Sequence, residues 1–143
     1  MTLAKSGIPE MIEQLKSSDE YRSLLLQSLA HRLAEAATEW LHRYTRDKLW
    51  GIKSDVGIRP AVGYSSLPDQ SLVFILDKIL DYSSMEINVT EHGALSPSAT
   101  TTGLIIAHPE SRYFEVGAIT RAMRKDYSER RGISEEELIP FLR

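Results

Sequence analysis

Cysteine is absent from the 143-residue chain, which excludes disulfides, thiolate metal sites, iron–sulfur clusters and a cysteine nucleophile. Long apolar runs are missing as well. The longest, such as Leu72-Val73-Phe74-Ile75-Leu76, fall far short of the roughly 20 residues that cross a bilayer. The opening residues Met1-Thr2-Leu3-Ala4-Lys5-Ser6 hold no apolar secretion segment. A basic excess is lacking too: 17 Lys and Arg against 20 Asp and Glu leave a net charge of −3, so no broad nucleic-acid footprint is available. These absences lead to the expectation of a soluble cytoplasmic protein with neither a membrane nor a nucleic-acid partner. No Gly-x-Ser-x-Gly elbow, phosphate-binding P-loop or Gly-x-Gly-x-x-Gly turn occurs.

What is present is enough for one folded domain: 42% hydrophobic and 26% charged residues fit a globular chain with a core rather than disorder or a fibrous repeat. Residues 1–16 read as an N-terminal arm, loose or forming a short helix after the Gly7-Ile8-Pro9 breaker, with Met11, Ile12 and Leu15 as a small apolar stripe. Residues 17–143 then form the single domain. Ser17 and Glu20 have capping-box spacing, and neither Pro nor Gly occurs from Asp19 to Trp50. Leu26, Leu29, Leu33, Ala36, Ala37, Trp40 and Tyr44 recur in steps of three and four, which predicts one long amphipathic helix of roughly 45 Å, capped by Gly51. Residues 51–68 are irregular, broken by Gly57, Pro60, Gly63 and Pro68.

Residues 69–81 read as a second helix with Leu72, Ile75, Leu76 and Ile79 on one side. Then the period becomes two. Met85, Ile87 and Val89 alternate with polar residues, predicting a strand. Ser96–Thr102 suits a loop or an edge strand. Residues 103–107 predict an inner strand, His108-Pro109-Glu110-Ser111 a turn, and residues 113–117 the returning strand of a hairpin. A helix over 119–131 ends at Gly132, and Ser134 with Glu137 caps a last short one. The fold class expected is α+β: a long N-terminal helix and further helices packed on a small antiparallel sheet.

Few residues suggest chemistry. Glu39 and His42 match the Glu-x-x-His spacing of bundle di-metal sites, but a second such pair is missing, so a solvated or salt-bridged helix face is the better reading. No nucleophile, metal cage or coupled acid–base pair stands out, and no catalytic residue is expected. Glu35 lies between Ala34 and Ala36, whose small side chains would let another segment lie close. Ile58-Arg59-Pro60-Ala61-Val62-Gly63-Tyr64 is more informative. Proline fixes the chain beside the arginine, and glycine permits close approach. A guanidinium fork, free backbone groups and an aromatic ring suit a small ligand with a carboxylate and a flat heterocycle. An ordinary loop with Arg59 on a surface carboxylate is the alternative.

Several segments together carry a resemblance: Arg32-Leu33-Ala34-Glu35-Ala36 with Glu39 and Leu41-His42; Leu49-Trp50-Gly51; Gly57-Ile58-Arg59-Pro60-Ala61-Val62-Gly63-Tyr64 with Pro68; Gly103; His108-Pro109-Glu110-Ser111-Arg112-Tyr113-Phe114; and Asp126-Tyr127 through Arg131-Gly132. In this order and spacing the chain resembles the activation domain of cobalamin-dependent methionine synthase. The resemblance implies a module that binds S-adenosylmethionine as methyl donor and supports reductive remethylation of cobalamin. The cobalamin would sit on a partner domain, and a flavodoxin-like protein would donate the electron. By the same resemblance Arg59 holds the ligand carboxylate, Glu35 faces its polar groups, and Ala61 and Tyr64 run along the adenine side. Gly63 belongs to the same ligand-binding set, and Tyr113 stands beside the ligand. The family's domain is longer than this chain. A module that keeps the fold and serves a corrinoid protein without binding S-adenosylmethionine is the alternative.

Overall fold

The computed structural model describes residues 1–2, 4–52 and 56–142. Helix α1 spans Ile8–Ser18 and helix α2 spans Glu20–Tyr44, continued by a π-helical turn over Thr45–Leu49. The long uninterrupted helix is thus present, with Gly51 just beyond its end. Its start differs from the Ser17–Glu20 reading. Ser17 and Ser18 still belong to α1, where both hydroxyls donate to the Gln14 carbonyl. Asp19 is the cap instead, accepting from the Arg22 N–H at 3.0 Å, because its carboxylate is a stronger acceptor placed one residue before the turn. Residue 16 thus falls inside α1. Thr2 also pairs with Thr100, and the Met1 carbonyl accepts from the Thr101 N–H at 2.7 Å.

The face of α2 that meets the body is made of Ser23, Ala30, Ala34 and His42, all buried. Leu29, Leu33, Trp40 and Tyr44 point elsewhere and stay exposed, contrary to the expected apolar stripe. Small side chains let neighbouring backbone approach the helix closely, and that approach decides which face is covered.

Helix α3 spans Leu72–Leu80. Its buried contact is Val73, with Leu72, Phe74 and Leu76 partly covered, while Ile75 and Ile79 are exposed; the expected face is rotated by about one residue. The core joins Val62, Val73, Tyr82 and Ile87. A small antiparallel sheet pairs β1 (Asn88–Val89) with β2 (Leu95–Ser96), in the register Asn88 to Ser96 and Val89 to Leu95. Met85 belongs to a helical turn over Tyr82–Met85 rather than to the strand. Helix α4 spans Arg121–Arg131 and helix α5 Glu135–Leu138. Gly132 ends the first, and Ser134 with Glu137 forms the expected capping box on the second. The architecture is α+β, as read from the sequence. Among the described residues no helix is long and apolar enough to cross a membrane.

The hairpin expected between 103–107 and 113–117 does not form. Residues 102–106 pair antiparallel with 58–62 instead: Ile58 and Ile106 exchange both backbone hydrogen bonds at 2.9 Å, Leu104 N–H donates to the Pro60 carbonyl at 3.0 Å, and Val62 N–H to the Thr102 carbonyl at 3.0 Å. Pro60 has no N–H, so the ladder is interrupted and neither segment is a regular strand. Residues 113–116 flank the other edge of the same loop, where Val116 N–H donates to the Ser65 carbonyl and Ser66 Oγ to the Phe114 carbonyl. The irregular stretch is thus held from both sides.

Candidate functional site

Pairing on both edges fixes the backbone of Arg59 and aims its side chain at α2. Glu35 and Glu39 stand one turn apart there, so both carboxylates lie on one face of the helix. Arg59 Nε donates to Glu39 Oε2 at 3.2 Å, and both terminal nitrogens approach Glu35 Oε2 at 3.5 Å. The Arg59 N–H donates to the Tyr113 hydroxyl at 2.9 Å. Arg59, Glu35 and Tyr113, three of the residues selected from the sequence, therefore meet. Glu39 joins them. The sequence placed it in a metal-like pair, and its i+4 spacing from Glu35 was the signal for its place beside Arg59.

Glu39 is a salt-bridged residue, as expected of this helix face. The Arg43 hydrogen bond, and after it the Arg59 hydrogen bond, hold its carboxyl below the usual range. A depressed carboxylate stabilises the fold fully above its unfolded-state value, and the contribution is lost as pH falls through the folded value. Thermal melting followed downward from neutral pH is therefore expected to lose less stability in Glu39→Gln than in the parent chain once pH falls below the ordinary carboxylate value of about 4.5. His42 is not on the solvated face. It is buried, and burial, the leading cause, pushes its imidazole below the ordinary value. No group of three or more His, Asp or Glu side chains able to hold a metal occurs among the described residues.

Two neighbouring cavities border these groups. One, of about 210 Å³, is lined by His31, Ala34, Glu35, Tyr64 and residues 98–101. The other, of about 180 Å³, is lined by Arg59, Pro60, Ala61, Thr38 and residues 101–105. Arg59 and Glu35 bridge the two. The Tyr64 ring is 64% exposed at the rim. The loop itself uses much of the backbone that the sequence reading left free. Gly63 N–H donates to the Leu67 carbonyl, Tyr64 N–H to the Ala61 carbonyl, and Leu67 N–H to the Tyr64 carbonyl. Its carbonyls keep a second lone pair for an incoming group. Gly63 lines neither cavity. Its φ of +83° turns the chain, and a Cβ there would lie 2.1 Å from Gln70 Oε1, so its part is to shape the loop.

The donor set suits a zwitterion beside a flat ring. Arg59 offers a fork to a carboxylate, Glu35 an acceptor to an ammonium, and Tyr64 an aromatic face. A third, larger cavity of about 280 Å³ lies beside α4, lined by Leu67, Val116, Ile119, Met123 and Tyr127 among others. It contains none of the residues selected from the sequence as ligand-binding.

The comparisons with known proteins agree in direction. The family model of the vitamin B12 dependent methionine synthase activation domain matches residues 1–132. The solved structure described as the MetH reactivation domain bound to AdoHcy is similar, with a TM-score of 0.84 and 29% identity over 94% of this chain and 47% of that one. The chain thus spans about half the length of that relative.

Proposed function

From the premise that the chain belongs to the vitamin B12 dependent methionine synthase activation-domain family, we propose that it binds S-adenosylmethionine at the Arg59–Glu35 junction and serves the reactivation of a cobalamin held by another domain. The observation that carries the reading is that Arg59 joins the other two residues: its guanidinium meets the Glu35 carboxylate and its backbone N–H meets the Tyr113 hydroxyl. When bound, the ligand supplies a methyl group for reductive remethylation of the cobalt. The chain's own residues bind and orient.

Glu39 occupies the Nε edge of Arg59 at 3.2 Å. The terminal nitrogens share one Glu35 oxygen at 3.5 Å, at the long limit for a hydrogen bond. A ligand carboxylate that displaces that oxygen gains a shorter charge-assisted pair, and the released Glu35 oxygen takes the ligand ammonium. The two long contacts to Glu35 give way to shorter ones. Tyr113 keeps the Arg59 backbone in place meanwhile, and Tyr64 borders the nucleoside. A cobalamin-binding domain is the partner that this role requires, with a flavodoxin-like electron donor and a cytoplasmic setting.

Titration calorimetry on the whole chain tests the reading. Saturable binding of S-adenosylmethionine and of S-adenosylhomocysteine is expected. Arg59→Ala is expected to weaken it by roughly 30-fold or more, the loss of a charged hydrogen bond of about 2 kcal/mol, with an unchanged far-ultraviolet dichroism spectrum. No heat at millimolar ligand, with and without a cobalamin domain, rules the proposal out.

A further inference from the structure

The molecule exposes more surface than its mass requires. Its accessible area is 9667 Å², against about 7,500 Å² for a compact monomer of 16.2 kDa. Seven of the exposed large apolar side chains, Tyr21, Leu24, Leu25, Leu29, Leu33, Trp40 and Tyr44, lie on α2. Because the body-facing side of that helix uses small and polar residues, Tyr21, Leu25, Leu29, Leu33, Trp40 and Tyr44 remain between 41% and 71% exposed. They follow two ridges of four-residue steps, Tyr21-Leu25-Leu29-Leu33 and Ala36-Trp40-Tyr44. Trp40 and Tyr44 are already stacked, with centroids 5.1 Å apart and planes at 19°. An apolar stripe of this size exceeds what soluble monomers usually leave in water.

We propose that the occupant of this stripe is the α2 helix of a second copy, packed antiparallel about a two-fold axis between Arg32 and Leu33. In that register Tyr21 faces Tyr44, Leu25 faces Trp40 and Leu29 faces Ala36, and each contact occurs twice, as an isologous interface demands. Large side chains meet small ones at the centre, where ridges interdigitate, and stacked aromatics anchor both ends. With fractional exposures of 41% to 71% and roughly 200 Å² for each fully exposed large side chain, the six side chains leave about 650 Å² per chain, against the roughly 800 Å² that each partner contributes to a standard interface. Arg22 faces Arg43 across the axis, but each is paired within its own chain, to Asp19 at 3.2 Å and to Glu39 at 2.9 Å. The net charge of −3 opposes association only weakly.

Sedimentation of the whole chain from 1 to 100 µM, concentrations chosen around a roughly micromolar dissociation constant, is expected to give twice 16.2 kDa. Leu29→Glu and Trp40→Glu, both at exposed positions, are expected to weaken the dimer at least about 30-fold with helix content retained. Ile79→Glu, 72% exposed on α3, is the control and leaves it unchanged. The absence of native cysteine gives a second readout free of background. The double variant Leu29→Cys/Ala36→Cys is expected to form a covalent dimer on mild oxidation. Each single variant is not, because positions 29 and 29 of the two copies stand roughly 10 Å apart along the axis. A monomer at 100 µM, a dimer indifferent to both glutamates, or single variants that cross-link as well as the double would each overturn the proposal.

Discussion

Asp69→Ala is expected to destabilise the protein by about 3–5 kcal/mol, the cost of removing one partner from a buried ion pair. Asp69 is 2% exposed. One oxygen accepts from the Ser71 N–H at 2.8 Å and the Ser71 hydroxyl at 2.6 Å. The other accepts from the Tyr127 hydroxyl at 2.7 Å and from Arg131. Burial, and then the bond to this carboxylate, pushes the Tyr127 phenol up, so it stays a neutral donor. Alanine would leave a mostly buried guanidinium on α4 with no carboxylate, and it would loosen the tie between that helix and the loop entering α3. Neighbouring contacts depend on the same tie: Gln70 N–H donates to the Phe141 carbonyl at 2.9 Å, and Phe74 meets the Phe141 ring edge-on at 5.8 Å. Urea unfolding measures the loss. Asp69→Leu combined with Arg131→Met removes both charges and is expected to recover most of the stability; failure to recover would mean that the pair is not the cause.

Gly103→Ala is expected to cost about 2–3 kcal/mol and to weaken ligand binding as well. A Cβ at residue 103 would sit 2.3 Å from the Pro60 carbonyl oxygen and 2.8 Å from the Ala61 Cα. Both are backbone atoms, so no rotamer relieves the clash. The 58–62 segment would have to separate from 102–106, breaking the Leu104–Pro60 and Val62–Thr102 hydrogen bonds and moving Arg59 away from α2. Gly117→Ala is the comparison. Nothing lies within 4 Å of a Cβ there, although φ is +69°, so backbone strain of about 1 kcal/mol with unchanged binding is expected. Equal losses in the two variants would show that close approach at Gly103 is unimportant.

Local chemistry made several features readable in one dimension. The Ser134 to Glu137 cap, the end of α4 at Gly132 and the unbroken helix from Glu20 depend on neighbours within a few residues. The Arg59 segment and Glu35 stood out for the same reason, as unusual groups in unusual backbone. Short-range competition misled once, at Ser17, where a carboxylate two residues later caps better.

The sequence by itself therefore determined the long helix, the caps of the two C-terminal helices and the α+β class, because propensity, capping and periodicity act along the chain. It also carried the family, through the Arg59, His108 and Asp126 segments. Only the tertiary structure decided that residues 102–106 pair with 58–62, that Asp69 ties α4 in place, and that Glu39 shares Arg59 with Glu35. It also decided which side of α2 is buried. Apolar character alone could not choose that side, since the body contacts α2 through Ser23, Ala30 and Ala34: how closely backbones approach outweighed how greasy each face is.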